Sequence, residues 1–97
     1  MLDAPVVFLS TGNFVENQDG WLNCTVSSKP ESNITWYRVT SHFEEITENL
    51  VRGTNLLSYR MNAVSKKDNA LYRCTADNGL GVIVSSERSL EVAGTYG

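Results

Sequence analysis

The stretch Asp68-Asn69-Ala70-Leu71-Tyr72-Arg73-Cys74, followed by Thr75-Ala76, decides the fold of this chain. Small, apolar or aromatic residues occupy every second position from Ala70 to Ala76. Side chains of a strand point to opposite faces in turn, so these residues share one face, and Leu71, Arg73 and Thr75 share the other. The pattern predicts a half-buried strand over residues 70–77.

The same period of two recurs along the chain. Ile34 and Trp36 alternate with Thr35 and Tyr37, and comparable patterns occupy residues 56–64 and 90–92. Turn-forming residues separate these stretches at 10–13, 17–20, 27–30, 52–54 and 77–79. No long window keeps a helical stripe, and several short strands at this spacing are typical of a sandwich or barrel. We expect an all-β fold in which two sheets close over a shared core.

Length and charge limit the function. The chain has 97 residues, 41% of them hydrophobic, which fits one globular domain. A net charge of −3, from 11 acidic and 8 basic residues, argues against a nucleic-acid partner. The longest apolar run, residues 5–9, is far shorter than the ~20 residues of a membrane span, so we expect no direct membrane contact. The N-terminus does not have the pattern of a signal peptide.

Cys24, Trp36 and the 68–74 stretch together resemble the Cys…Trp…Cys framework of the immunoglobulin superfamily, with its Asp-x-Ala-x-Tyr-x-Cys signature. Residues 75–81 are similar to the F–G hairpin of intermediate-set (I-set) modules. The resemblance covers residues 4–93 and leaves 1–3 and 94–97 as linkers to neighbouring modules. It implies a Greek-key sandwich of two antiparallel sheets, A-B-E-D and A′-G-F-C-C′.

The resemblance also implies where the strands lie. They are expected near 5–10 (A), 13–16 (A′), 20–27 (B), 33–39 (C), 43–47 (C′), 50–53 (D), 55–64 (E), 70–77 (F) and 82–92 (G).

The resemblance further gives each signature residue a role. Cys24 and Cys74 are expected to form a disulfide between the sheets, with Trp36 packed against it. Closing a loop of this length stabilises the fold by roughly 4 kcal/mol on the chain-entropy model. Tyr72 is expected to donate its hydroxyl to a backbone group upstream. Asp68 is expected to pair with Arg52, or else with Arg60.

One position departs from the family pattern. The apolar site four residues before Cys24 is Gly20, and Trp21 beside it shares the outward register of Asn23. Either Trp21 is exposed on the A-B-E-D sheet, as an anchor for a partner, or it is partly buried or turned inward by a bulge at Gly20.

Two features favour an extracellular location. The cysteine pair can oxidise in the secretory pathway, and Asn23-Cys24-Thr25 and Asn33-Ile34-Thr35 are acceptors for N-glycosylation. We expect glycosylation at Asn23 and Asn33, and a module of a cell-surface or secreted protein.

The sequence offers little for catalysis. His42 is the one histidine, it lies in a polar stretch, and a Ser–His–carboxylate site needs its groups to converge in a pocket. Zinc needs about four ligands, and both cysteines are assigned to the core. We expect no enzyme activity, no metal and no cofactor.

The remaining functions are recognition of a protein partner and spacing between neighbouring modules. A glycan on Asn23 would hinder protein contact on the A-B-E-D sheet, so the outward residues of C, F and G form the candidate binding face. Tyr37 and Arg73 are of types enriched in binding hot spots, and Thr35 and Thr75 flank them. Alternatively, Tyr37 packs only beside Phe43 or Ile46, and Arg73 pairs with Glu44 or Glu45.

The family resemblance places such modules in adhesion molecules and cell-surface receptors. There they bind another cell-surface or secreted protein, or a second copy of the same protein, and contact neighbouring modules of their own chain. The alternative is a structural spacer, either in an ectodomain stalk or in an intracellular sarcomeric or cytoskeletal protein.

Overall fold

The first sheet of the fold has four antiparallel strands. The computed structural model describes residues 3–94, and residues 1–2 and 95–97 of the expected linkers lie outside the described residues. The strands pair in the order β1-β2-β6-β5. They are β1 (Asp3–Thr11), β2 (Gly20–Lys29), β5 (Leu50–Gly53) and β6 (Leu56–Met61).

The second sheet also has four antiparallel strands, in the order β4-β3-β7-β8. They are β3 (Asn33–Val39), β4 (Phe43–Glu45), β7 (Ala70–Asp77) and β8 (Ile83–Leu90). A short 3₁₀ turn, Lys66–Asp68, leads into β7. The all-β sandwich of two antiparallel sheets is confirmed, with the predicted bounds at β3, β5 and β7.

The predicted strand A′ is reduced to a single bridge. Residues 13–16 contribute one parallel bridge, between Val15 and Ala93, and no strand is assigned there. β1 stays paired with β2 as far as Thr11, and the Gly12 amide still donates to the Trp21 carbonyl. The chain then crosses between the sheets and turns at Asn17, whose φ is 68°, so too few residues remain for a strand.

The core lies between the sheets and is closed by the disulfide. Cys24 of β2 and Cys74 of β7 are bonded, with their Cα atoms 6.4 Å apart and both side chains fully buried. Trp36 lies opposite Cys74 in the register of β3 and β7. Its indole nitrogen donates to the Leu57 carbonyl at 2.9 Å, which links the two sheets by a buried hydrogen bond.

Gly20 departs from the family pattern because Phe14 occupies the space of its missing side chain. A Cβ added at Gly20 would lie 2.4 Å from Phe14 Cε1, and Gly20 is buried opposite Met61. The Phe14 backbone is anchored, since its carbonyl accepts from the Ala93 amide at 2.9 Å. An aromatic ring from the crossing segment therefore fills a core position that the strand itself leaves empty.

Candidate protein-binding face

The candidate residues lie together on the outer face of the second sheet. Thr35 faces Thr75 and Tyr37 faces Arg73 across β3 and β7. All four side chains are half-buried, whereas the residues that alternate with them in the middle of both strands are buried in the core: Ile34, Trp36, Tyr72, Cys74 and Ala76. The four predicted residues therefore form two adjacent cross-strand pairs on one surface.

The polar and aromatic side chains at the middle of this surface contact one another. The Phe43 ring lies edge-on to Tyr37, with ring centroids 6.3 Å apart and planes at 89°. The Arg73 guanidinium carbon lies 4.7 Å from the Phe43 centroid, within cation–π range. Arg73 Nε donates to Glu87 Oε2 at 2.7 Å, and a second guanidinium nitrogen forms an ion pair with the same oxygen. We call Tyr37, Phe43, Arg73 and Glu87 the aromatic cluster.

The alternative in which Arg73 pairs with Glu44 or Glu45 was wrong. β7 and β8 form a hairpin whose register places Arg73 opposite Glu87, so this carboxylate is the nearer partner. The sequence did not single out Glu87 as a site residue, and it offered Phe43 only as a neighbour of Tyr37. The sequence did contain a signal for Glu87: the turn at Asn78-Gly79-Leu80-Gly81 sets the register of the hairpin, and that register predicts the residue opposite Arg73.

The aromatic cluster presents an apolar surface with its charges already paired. Phe43 is 53% exposed, whereas the Arg73 and Glu87 side chains are about one-third exposed. A partner can cover Phe43 and Tyr37 without leaving Arg73 unpaired, because Glu87 remains beside it. This arrangement suits a protein interface, where aromatic residues and Arg contribute much of the affinity.

Asp68 pairs locally, not with the arginines predicted for it. Asp68 Oδ2 accepts from the Ser65 amide at 2.8 Å, and the Ser65 hydroxyl accepts from the Lys67 amide, which together form a capping box. Arg52 donates to the Ile34 carbonyl instead, and no ion pair to Asp68 is found in residues 3–94. The Ser65-x-x-Asp68 spacing was a sequence signal for this cap.

Tyr72 anchors the start of β7. Its hydroxyl donates to the Asp68 carbonyl at 2.7 Å, four residues upstream. Burial raises the pKa of this phenol to about 12; the nearby Arg38 acts in the opposite direction, and Tyr59 and Asp68 raise it further. The hydroxyl therefore stays protonated and remains a hydrogen-bond donor well above neutral pH.

Trp21 lies on the outer face of the first sheet and is partly buried without a bulge. The pairing of β2 with β6 runs without a break from Gly20 to Thr25, so the suggested bulge at Gly20 was wrong. A Cβ on Gly12 would lie 2.7 Å from Trp21 Nε1, so the indole lies over the backbone of Gly12. This contact covers part of the ring, which reduces what Trp21 offers to a partner.

The two glycosylation acceptors lie on different sheets. Asn23 is in the middle of β2, half-buried, on the same outer face as Trp21. Asn33 is the first residue of β3, exposed, and its register places it on the same face as Thr35 and Tyr37. A glycan at Asn33 would therefore stand at one end of the candidate binding face.

His42 contacts a serine and a carboxylate in an exposed turn. Its Nδ1 lies 3.2 Å from Ser41 Oγ and its Nε2 3.1 Å from Glu44 Oε1. The His42 and Glu44 side chains are 67% and 54% exposed, so water surrounds them. Catalysis by such a group needs a site that excludes water and positions a substrate, which these exposed contacts do not provide.

Neither a metal centre nor a membrane segment emerges from residues 3–94. No group of three or more His, Cys, Asp or Glu side chains is close enough to hold a metal ion within that range. The same residues contain no helix with the length and apolar character needed to cross a membrane.

Comparison with known proteins establishes the family. The family model described as "Immunoglobulin domain" matches residues 4–92. The chain belongs to the immunoglobulin-domain family. The two sheets, the disulfide between them and the signature around Tyr72 are the structural basis of that match.

Relatives of this immunoglobulin domain include cell adhesion molecules. It is 32% identical over 65 residues to the mouse protein "Cell adhesion molecule-related/down-regulated by oncogenes", covering 67% of this chain and 5% of that protein. It is 30% identical over 80 residues to the Drosophila melanogaster protein "Cell adhesion molecule Dscam2", covering 76% of this chain and 4% of that protein. The chain thus spans about one-twentieth of the length of these relatives.

Solved structures share the fold of this immunoglobulin domain. A chimeric titin Z1Z2 has a TM-score of 0.79 at 20% identity, with 98% of this chain and 99% of that chain covered. The Ig1-2 module of the Drosophila receptor protein tyrosine phosphatase DLAR has a TM-score of 0.74 at 19% identity, with coverage of 96% and 50%. At these identities the likeness concerns the fold alone.

Proposed function

We propose that this immunoglobulin domain is a non-enzymatic, extracellular I-set module of a larger cell-adhesion molecule or cell-surface receptor. It binds another cell-surface or secreted protein, or a second copy of its own protein, through the outer face of the sheet β4-β3-β7-β8. The observation that carries this proposal is the aromatic cluster, in which a half-exposed Phe43 is flanked by Tyr37 and by an Arg73 that is already paired.

The sequence relatives support the extracellular setting. The mouse and Drosophila relatives, at 32% and 30% identity, carry "cell adhesion molecule" in their names, whereas the likeness to the chimeric titin Z1Z2 is at 20% identity and concerns the fold alone. The disulfide adds support, because stable disulfides form in oxidising compartments. The alternative function is that of a spacer, in which the ion pair between Arg73 and Glu87 would only stabilise the sheet.

The glycosylation acceptor Asn33 shifts the expected centre of binding. Tyr37 lies four residues further along β3, which is about 13 Å at the rise of a strand. A glycan on Asn33 would shield Thr35 and Thr75 before it reached the aromatic cluster. We therefore place the centre of the interface at Tyr37 and Phe43, and the two threonines at its edge.

Binding of variants to cell-surface proteins tests the proposal. The secreted domain, multimerised on beads, is assayed against an array of extracellular domains that includes the domain itself. We expect Tyr37→Ala to weaken binding to any captured protein by more than 1 kcal/mol, about fivefold or more, without a change in Tm. Phe8→Ser is the matched control, because Phe8 is exposed on the opposite sheet.

Two results would contradict this proposal. If Tyr37→Ala and Phe43→Ala bind like the unchanged domain, the interface is elsewhere. If the unchanged domain captures nothing from the array, itself included, the spacer function is favoured.

A further inference from the structure

We propose that Asn23 carries an N-linked glycan that lies across the outer face of the sheet β1-β2-β6-β5 and closes this face to protein partners. Its first sugar contacts the aromatic residues beside Asn23. The inference rests on the proposed function, because N-glycans are attached in the secretory pathway. It goes further in naming the aromatic residues that the sugar would cover. On the other sheet a glycan on Asn33 would lie at one end only, which leaves the aromatic cluster open to a partner.

The strand β2 presents the acceptor sequence to solvent in one row. Trp21, Asn23 and Thr25 are alternate residues of a strand, so all three point to the outer face, while Leu22 and Cys24 point into the core. The pairing is regular on both sides, with Asn23 opposite Ser10 of β1 and Ser58 of β6. Both elements of the acceptor, Asn23 and Thr25, are therefore displayed on the surface of a central strand.

The carboxamide of Asn23 is oriented for attachment. Its Oδ1 is buried and has no hydrogen-bond partner among the described residues, so the oxygen is turned into the sheet. The nitrogen, on the other arm of the same planar group, is not a buried atom. That nitrogen is the atom to which the sugar is joined, and no hydrogen bond from it is found in residues 3–94.

Two aromatic side chains, Phe8 and Trp21, lie near the attachment point. Phe8 is opposite Thr25 and thus diagonal to Asn23, at a distance of about 7–8 Å, and Trp21 precedes Asn23 by about 7 Å along β2. Phe8 is 58% exposed; Val6, two residues earlier on β1, and Val51, on the far edge strand β5, are each 50% exposed.

A tethered sugar fits this surface better than a protein does. A glycan is bulky and solubilising, and its attachment at Asn23 puts its first ring between Phe8 and Trp21. A pyranose ring can lay its C–H groups on an aromatic ring and still present hydroxyl groups to water. It can therefore cover the apolar residues while the outer surface of the domain stays hydrophilic.

Glycan mapping and thermal stability test the inference on the 97-residue domain secreted from animal cells. Thr25→Ala removes the acceptor and leaves Asn23 in place, and Thr25→Ser is the matched control that keeps the acceptor. Peptide mass spectrometry measures occupancy at Asn23. Melting curves and the proton signals of the first sugar measure its contact with the aromatic rings.

We expect sugar on Asn23 in the unchanged domain and in Thr25→Ser, and none in Thr25→Ala. Loss of the sugar should lower Tm by roughly 4–8 °C relative to Thr25→Ser. The difference should shrink in the Phe8→Ser background. Aromatic rings should shift the proton signals of the first sugar upfield, and trimming the glycan to that sugar should leave Tm unchanged.

A bare Asn23 in the secreted domain would overturn the inference, and so would an occupied Asn23 with neither a Tm difference nor an upfield shift. These outcomes are independent of the test of the proposed function. Bare Asn23 together with weakened binding by Tyr37→Ala would overturn this inference alone. If Asn23 is occupied and the Tyr37→Ala and Phe43→Ala variants bind as well as the unchanged domain, only the proposed interface is overturned.

Discussion

The contact between Phe14 and Gly20 predicts that Gly20→Ala destabilises the domain when Phe14 is present and stabilises it when Phe14 is replaced by Ala. Replacing Gly by Ala inside a strand usually stabilises a protein by about 0.5–1 kcal/mol, because glycine loses more backbone freedom on folding. At Gly20 the new Cβ would meet the Phe14 ring at 2.4 Å, and such overpacking costs about 1–3 kcal/mol. We therefore expect Gly20→Ala to lower the free energy of unfolding by about 1–2 kcal/mol.

In the Phe14→Ala background the obstacle is gone, so Gly20→Ala should raise the free energy of unfolding by about 0.5–1 kcal/mol. Urea denaturation of the four proteins in this double-mutant cycle measures a coupling of about 1–3 kcal/mol. Gly53→Ala in β5 is the matched control, since its nearest contact would be an ordinary 3.5 Å from Leu56. An equal effect of Gly20→Ala in both backgrounds would refute the packing described for Phe14.

Three further predictions follow from the core and the tyrosine anchor. Reduction, or Cys24→Ala, should destabilise the domain by about 2–5 kcal/mol, and equal Tm values with and without reductant would contradict this. Trp36→Ala should prevent folding, because a cavity worth about 3–5 kcal/mol adds to the loss of the hydrogen bond to Leu57; a native-like NMR spectrum would refute it. Tyr72→Phe should cost about 1 kcal/mol by removing the hydrogen bond to Asp68. The pKa of Tyr72 is about 12 in the folded state against 10.0 ordinarily, so the contribution of the neutral phenol to the free energy of unfolding is complete below pH 10 and is lost as pH rises toward 12. Denaturation at several pH values should therefore show a smaller loss of stability above pH 10 in Tyr72→Phe than in the unchanged domain.

Period-two patterning predicted β3, β6 and β7 and the two faces of the sandwich, and the family resemblance supplied the other strands. It predicted which residues of β3 and β7 face the core, because alternation is a local property of extended backbone. The family resemblance then supplied the disulfide between Cys24 and Cys74, which the structure confirms.

Two of the errors concern side chains whose partners are determined by distant segments of the chain. Phe14 reaches Gly20 only because strand A′ is reduced to a bridge at Val15, and no local pattern specifies that crossing. Arg73 is paired by the register of the β7–β8 hairpin. Asp68 is the opposite case, because its partner Ser65 is three residues away and the local cap prevails over the distant arginines.

The outer faces of the two sheets differ in a way that bears on how such a domain avoids unwanted association. On the second sheet the exposed Phe43 lies beside Tyr37 and Arg73, and the charge of Arg73 is balanced by Glu87, so a partner there need not desolvate an unpaired ion. On the first sheet the exposed Phe8 is opposite Thr25 and diagonal to Asn23, and no charged residue is paired with it in that register. If both faces were bare, two apolar surfaces would compete for partners. With the proposed glycan on Asn23 the first sheet would be covered, and a partner would be confined to the second sheet, at the aromatic cluster and away from a glycan on Asn33.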